Sequence, residues 1–453
     1  MLKSEKKKNL TIVGGGITGL AAAYIAVINN WNVTILEAES DVGGLMRTFK
    51  IGGNRLECFY HHFFSHDKEL TWLIKSLNLE KNLTFKKTTM GIFRDKKIYD
   101  FSTPLDLMKF KSIDIFDKLR FALSTLYLGK LSSWRKMESV SAMEWFYKYA
   151  GRGATEAIWK PMLDIKFGTY SNEVPVSWMI GRLSQRMNSR DGTEESLGYI
   201  RGSMQTLTDE IKRELEKNNV KIITNAEVID LRIEHNELKE IITSKNNFNN
   251  CHFLFTIPTS NIAKLVRKNN MPYADKLSEI EYFKALCLIL VLKNKLSNIY
   301  WLNIADEGYP FGGIIEHTNF INPGEYNGLH ISYLSRYYSK KEALSNMNNS
   351  EIEEIMMKGI KRIYPDFKLS DVLDLYMYKT DTAATLCDLN FSGKVPKCKT
   401  PIGNMYIASM PHVYPDERSC NNSIRVAAEA CRVMGMDSSF VPYGSSLSGK
   451  IGF

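Results

Sequence analysis

The sequence predicts an α/β fold: a Rossmann-type dinucleotide-binding domain interleaved with an α+β second domain. Three observations carry this expectation. A strand, glycine turn, helix and strand open the chain. A helix followed by strands returns near residues 204–257. A last strand and helix follow residue 405.

The elements follow in order. Residues 9–13 read as a short buried strand, and Gly14, Gly15 and Gly16 as a turn. Residues 17–28 read as a helix whose Ala21, Ala22 and Ala23 give it a thin face, closed by Asn29 and Asn30. Residues 31–36 form a second buried strand ending at Glu37. Parallel pairing of these strands requires a right-handed crossover. Residues 68–200 read mostly helical, with 69–77, 115–128 and 142–149 as examples. Residues 204–217 are an amphipathic helix, and 221–224, 228–234, 238–243 and 252–257 are strands. Strand-like runs at 285–292 and 329–334, a helix at 351–363, a strand at 405–409 and a helix at 423–434 complete the pattern. The expected division gives the nucleotide domain residues 1–86, 199–262 and 398–453. It gives the second domain residues 87–198 and 263–397.

A chain of 453 residues is long enough for two or three packed domains. Its 44% hydrophobic and 24% charged residues are ordinary for a soluble protein. Part of the net charge of +9 comes from Lys3, Lys6, Lys7 and Lys8. They read either as a solvated tail or as a weak attraction to anionic lipid or a phosphorylated substrate. No basic stripe interleaves with aromatics, so nucleic acid is not an expected partner. The seven Cys include no CxxC pair, which implies neither a disulfide framework nor a zinc site. That usage fits a reducing cytosol, so a cytoplasmic location is expected, with no secretory signal. The longest strongly apolar run, 285–292, has eight residues, whereas a spanning helix needs about 20.

Three motifs carry chemistry. Gly14-Gly15-Gly16-Ile17-Thr18-Gly19 is a GxGxxG between a strand and a helix. Gly14 allows the tight turn, Gly16 admits a diphosphate to the backbone, and Gly19 lets the helix pack closely. The helix N-terminus then presents free amides and its positive dipole end. Glu37, 18 residues beyond Gly19, is placed to grip a ribose diol and would repel a 2′-phosphate. Gly43-Gly44-Leu45-Met46-Arg47-Thr48 follows, where two glycines admit a close chain crossing and Arg47 can neutralise a diphosphate. A domain binding NAD alone has no use for this third motif.

On these residues, together with Val13, Leu20 and Ala38, the sequence resembles the FAD-dependent amine oxidase superfamily. That group includes protoporphyrinogen oxidases, phytoene desaturases, monoamine oxidases and, more distantly, UDP-galactopyranose mutases. Many members place a basic residue directly after the double glycine. Leu45 stands there in this chain, so the charge would come from Arg47. The resemblance implies an FAD-binding domain with an interleaved substrate domain. It implies that Val228 holds the adenine through its backbone, and that Gly403 to Ser409 is the final strand of the nucleotide domain. It places Ser409, Asp416, Arg418, Asn421 and Asn422 before a helix that aims its amides at the flavin's pyrimidine edge.

The substrate-side candidates are less specific. The stretch 58–67 holds His61, His62 and His66 among four aromatics. By likeness to the mutases, His61 or His62 touches flavin or substrate and relays a proton; the alternative is a buried His satisfied by backbone. Lys160 and Lys166 read as anchors for a substrate anion or as snorkelling surface groups. Arg182, Arg186 and Arg190 recur every four residues along one helix face, for anion recognition or solvation. Glu316-His317 reads as an acid–base pair or as a strand-end pair. Residues 115–134 mix apolar and basic side chains, either for a membrane surface or for packing on the second domain. The expected function is hydride transfer from a small organic substrate, lipophilic or sugar-linked, to FAD. The alternative is a redox-neutral flavoenzyme acting on a nucleotide- or lipid-linked sugar, as in surface polysaccharide synthesis.

Overall fold

Five strands pair in parallel in the order Lys221–Ile223, Asn32–Leu36, Asn9–Val13, His252–Phe255, Met405–Ile407. The structure, a computed structural model, describes residues 7–191 and 194–444. The opening lysines Lys3 and Lys6 lie outside the described residues. The strands are short apolar runs such as Ile12, Ile35 and Leu254, buried on both faces, as a parallel sheet covered by helices demands. The expected ends shift by one to three residues: the second strand starts at Asn32 and the last stops at Ile407.

Helices Ile17–Ile28, Met204–Lys217 and Cys420–Val433 pack on this sheet through one apolar cluster. The alanine face of the first helix does what its small side chains permit. Ala21, Ala22 and Ala23 are fully buried, and the Cys431 thiol of the closing helix reaches the Ala22 carbonyl at 3.7 Å.

A second sheet has seven strands. Its order is Val372–Thr385, Tyr282–Leu292, His330–Tyr338, Gly313–Glu316, Trp301–Ile304, Met90–Arg94, Lys97–Asp100. All neighbours are antiparallel except Trp301–Ile304 with Met90–Arg94. Residues 68–200 are less helical than their sequence suggests. Residues 68–200 do contain Lys68–Ser76, Ile115–Lys130, Ala142–Tyr149 and Val176–Asn188 as helices. They also contribute strands Leu83–Lys87, Met90–Arg94, Lys97–Asp100 and Glu194–Ile200. Each is short, and Met90–Arg94 joins the sheet through Trp301–Ile304, more than 200 residues later, besides its hairpin with Lys97–Asp100, so no local period marks it.

Helix Ile115–Lys130 starts where the Asp114 side chain accepts the Asp117 amide at 2.8 Å. Among the described residues, no helix is long and apolar enough to cross a membrane.

Candidate active site

The glycine turn leaves a cradle with no side chains in it. Gly14 sits at φ +108°, and a Cβ there would come within 2.7 Å of the Thr256 hydroxyl. A Cβ on Gly19 would run into the Gly14 carbonyl oxygen, so the helix packs on the strand only with glycine at that position. Gly16 differs: nothing lies within 4 Å of where its Cβ would be. As N-cap it also offers no side chain to the first amides of helix Ile17–Ile28. Gly43 and Gly44, at φ +124° and +56°, cross just in front, and the Gly43 amide donates to the Gly15 carbonyl at 2.8 Å. Glu37 accepts the Gly15 amide at 2.6 Å on one oxygen and the Glu39 amide at 2.9 Å on the other. A carboxylate has about four acceptor sites, so half remain for a ligand.

These groups form one end of a cavity of about 560 Å³, lined there by Gly14, Gly16, Thr18, Glu37, Gly43, Gly44 and Arg47. Bare glycine backbone, a helix N-terminus, a carboxylate and a guanidinium are the donors and acceptors that a dinucleotide's diphosphate and ribose require. The residues present therefore fit FAD.

The other end is aromatic and cationic. Tyr60 meets Trp301 edge-on at 5.0 Å and Tyr333 at 6.0 Å. His61 Nδ1 donates to the Phe59 carbonyl at 2.6 Å, and His62 Nδ1 lies 3.1 Å from the Tyr300 hydroxyl. Burial lowers both imidazoles to about 4, helped by Arg418 beside His61 and Arg186 beside His62, so both are neutral at pH 7. Helix Val176–Asn188 sends Arg182 and Arg186 into the cavity, and helix Lys160–Phe167 sends Lys166. Glu417 pairs with Lys166 at 3.1 Å and with Arg182, while Arg186 pairs with Glu195 at 2.7 Å. Burial works to raise the Glu417 carboxyl, yet Arg182, Lys166 and Arg186 hold it well below the usual range. Burial lowers Lys166 to about 7 in spite of Glu417. Arg418 donates to the Tyr337 hydroxyl and lies 5.4 Å from that ring's centre.

Other expected residues do not line the cavity. Thr48 donates to the Gln205 side chain at 2.6 Å and accepts from Arg55 at 3.0 Å. Val228 opens strand Val228–Glu234 and packs against the apolar cluster that includes Val13 and Leu36. Ser409 is buried, its amide 3.2 Å from His412 Nδ1. Asp416 pairs with Arg425 at 3.2 Å. The Asn422 amide donates to the Ser419 hydroxyl at 3.0 Å, and its side-chain amide to the Glu417 carbonyl at 2.7 Å. Asp416 and Asn422 thus brace the turn that presents Glu417, Arg418 and Ser419.

Several candidates separate from the cavity. Lys160 pairs with Asp164 at 2.8 Å. Glu316 accepts the Leu296 amide at 2.9 Å, and His317 bonds the Tyr326 hydroxyl at 2.8 Å, so the two residues brace different loops. The Arg190 side chain lies outside the described residues. Tyr337 and Glu417 were not singled out from sequence. Glu417 adjoins residues that were, but Tyr337, on a strand of the second sheet, left no local signal.

Residues 17–379 match the family described as flavin containing amine oxidoreductase. The mitochondrial protoporphyrinogen oxidase of Nicotiana tabacum is 24% identical over 51% of each chain. Protoporphyrinogen oxidase 2, chloroplastic/mitochondrial, of Arabidopsis thaliana is 23% identical over 80% of this chain and 81% of its own. The chain thus aligns with about half the length of the tobacco relative. The crystal structure of reduced UDP-galactopyranose mutase superposes with a TM-score of 0.76 at 15% identity, over 99% of this chain and 98% of that one; at such identity the likeness is one of fold. The chain belongs to the flavin containing amine oxidoreductase family, and its cofactor is FAD.

Proposed function

We propose that the chain is an FAD-dependent oxidoreductase that removes a hydride from a small organic substrate held against the aromatic, cationic wall. The observation that carries this is the single cavity joining the glycine cradle to Tyr60, His61, His62 and Trp301. FAD supplies the hydride acceptor; the protein supplies position and electrostatics. Gly14, Gly16, Thr18, Gly43, Gly44 and Arg47 bind the diphosphate, and Glu37 takes the ribose. Val228 contacts the adenine through its backbone; the hydrogen bond from the nearby Ala226 amide to the Glu37 carbonyl, at 2.8 Å, supports this. Thr48, Ser409, Asp416 and Asn422 hold these segments in place. His61 keeps its proton on Nδ1, which leaves Nε2 as an acceptor for a proton from the substrate. Anaerobic bleaching of the flavin's visible absorbance by substrate, with no added reductant, tests the reading.

The second reading is a redox-neutral flavoenzyme acting on a nucleotide- or lipid-linked sugar. The cationic wall and the mutase-like fold favour it. Product formed only after dithionite pre-reduction, with no net electron consumption, would select it.

A peripheral membrane contact belongs to the same proposal. Of 18 exposed large hydrophobic residues among those described, eight fall within residues 105–127, including Phe116, Leu119 and Leu123 on helix Ile115–Lys130. Seven Lys and Arg against three Asp within residues 105–136 suit an anionic lipid surface.

A further inference from the structure

The substrate wall holds more positive charge than its own carboxylates offset. Lys166, Arg182, Arg186 and Arg418 all line it. Glu417 serves Lys166 and Arg182, and Glu195 serves Arg186. Among the described residues Arg418 has no carboxylate within 4.0 Å, and its bonded partner is the Tyr337 hydroxyl. Three guanidiniums, joined by the Lys166 ammonium below about pH 7, therefore face two carboxylates. His61 and His62 are neutral at pH 7 and do not alter the balance. The acidic Glu37 and Glu39 belong to the glycine end.

A half-buried guanidinium stays charged and seeks a charged acceptor, because desolvation without one is costly. An ammonium group entering the same space would meet like charge on three elements: helix Lys160–Phe167, helix Val176–Asn188 and the turn before helix Cys420–Val433. Tyr60 and Trp301 offer a flat apolar surface for the rest of such a ligand.

We propose that the substrate carries a carboxylate or phosphate that seats on Arg418 beside Tyr337 and the Lys166–Glu417–Arg182 cluster, and that cationic amines are excluded. The inference rests on the reading of the cavity as the flavin and substrate site. Arg418 lies one residue before the Ser419 cap of the closing helix, so the anion would sit near the flavin's edge. Arg418 is then a specificity residue, and this chain departs from the amine chemistry in its family's description.

The test titrates FAD-loaded protein with benzoate, phenyl phosphate and benzylamine while following the flavin spectrum. At least one anion is expected to perturb the spectrum saturably, benzylamine is expected to bind more weakly than that anion, and Arg418→Gln is expected to weaken the anion at least tenfold. The two anions distinguish a carboxylate from a phosphate site. Tighter binding of benzylamine than of either anion overturns the proposal, as does unchanged anion affinity in R418Q. If R418Q fails to keep FAD, the order of anion and amine in the unsubstituted protein decides. A colourless preparation removes the flavin reading and this proposal with it; a yellow one that prefers the amine removes this proposal alone.

Discussion

Gly16 and Gly19 lie three residues apart and do opposite jobs. A side chain at Gly16 would enter open space, whereas one at Gly19 would strike the Gly14 carbonyl. Gly16→Val should therefore fold with an unchanged thermal midpoint as apoprotein and lose most bound FAD. Gly19→Ala should lose about 1–3 kcal/mol of stability even as apoprotein, measured by urea unfolding. Glu37 holds two backbone amides besides any ribose. A hydrogen bond to a charged group contributes about 1.5–3 kcal/mol, so Glu37→Gln should weaken FAD by roughly 10–100-fold in equilibrium dialysis. The cavity's pH behaviour also follows from single residues. His61 and His62 titrate at about 4, and Lys166 at about 7. Lys166 is protonated below its midpoint and neutral above it. Glu417 stays ionised and Arg418 stays charged through that range. Anion affinity should fall as pH rises through about 7, and Lys166→Met should flatten that limb while His62→Gln leaves it in place. The glycines and Glu37 were readable from sequence because each answers to a local backbone demand. Arg418 stood out only as a neighbour of other residues, since its partner Tyr337 is 81 positions away.

Elements were legible where their period is local. Helix Ile17–Ile28 announced itself by its alanines and by the strand on either side. Strands Met90–Arg94 and Lys97–Asp100 did not, because they complete a sheet whose other members come after residue 280. Helix Ile115–Lys130 shows the limit of composition. Its apolar and basic residues favoured packing over membrane contact; Leu128 is indeed buried in the core, while the exposure of Phe116, Leu119 and Leu123 is what supports the proposed membrane contact. Leu119→Glu with Leu123→Glu should lower sedimentation with phosphatidylglycerol vesicles and leave the thermal midpoint and FAD content unchanged. Equal sedimentation of the double variant would remove the membrane contact from the account.

At the scale of the molecule, one parallel sheet is assembled from residues 9–36, 221–255 and 405–407, with the substrate sheet threaded between them. That interleaving places the cradle and the cationic wall in one cavity. It also explains the uneven legibility of the site. The cofactor end comes mostly from the first 50 residues, while the substrate wall draws on strands and helices spread from Tyr60 to Arg418. The most direct test is the FAD content of the purified protein, released by heat and quantified against protein, beside Gly16→Val. One FAD per chain, released without covalent attachment and largely missing from the variant, is the predicted result. A native protein that stays colourless after incubation with FAD, or a variant that retains a full complement, would contradict the account.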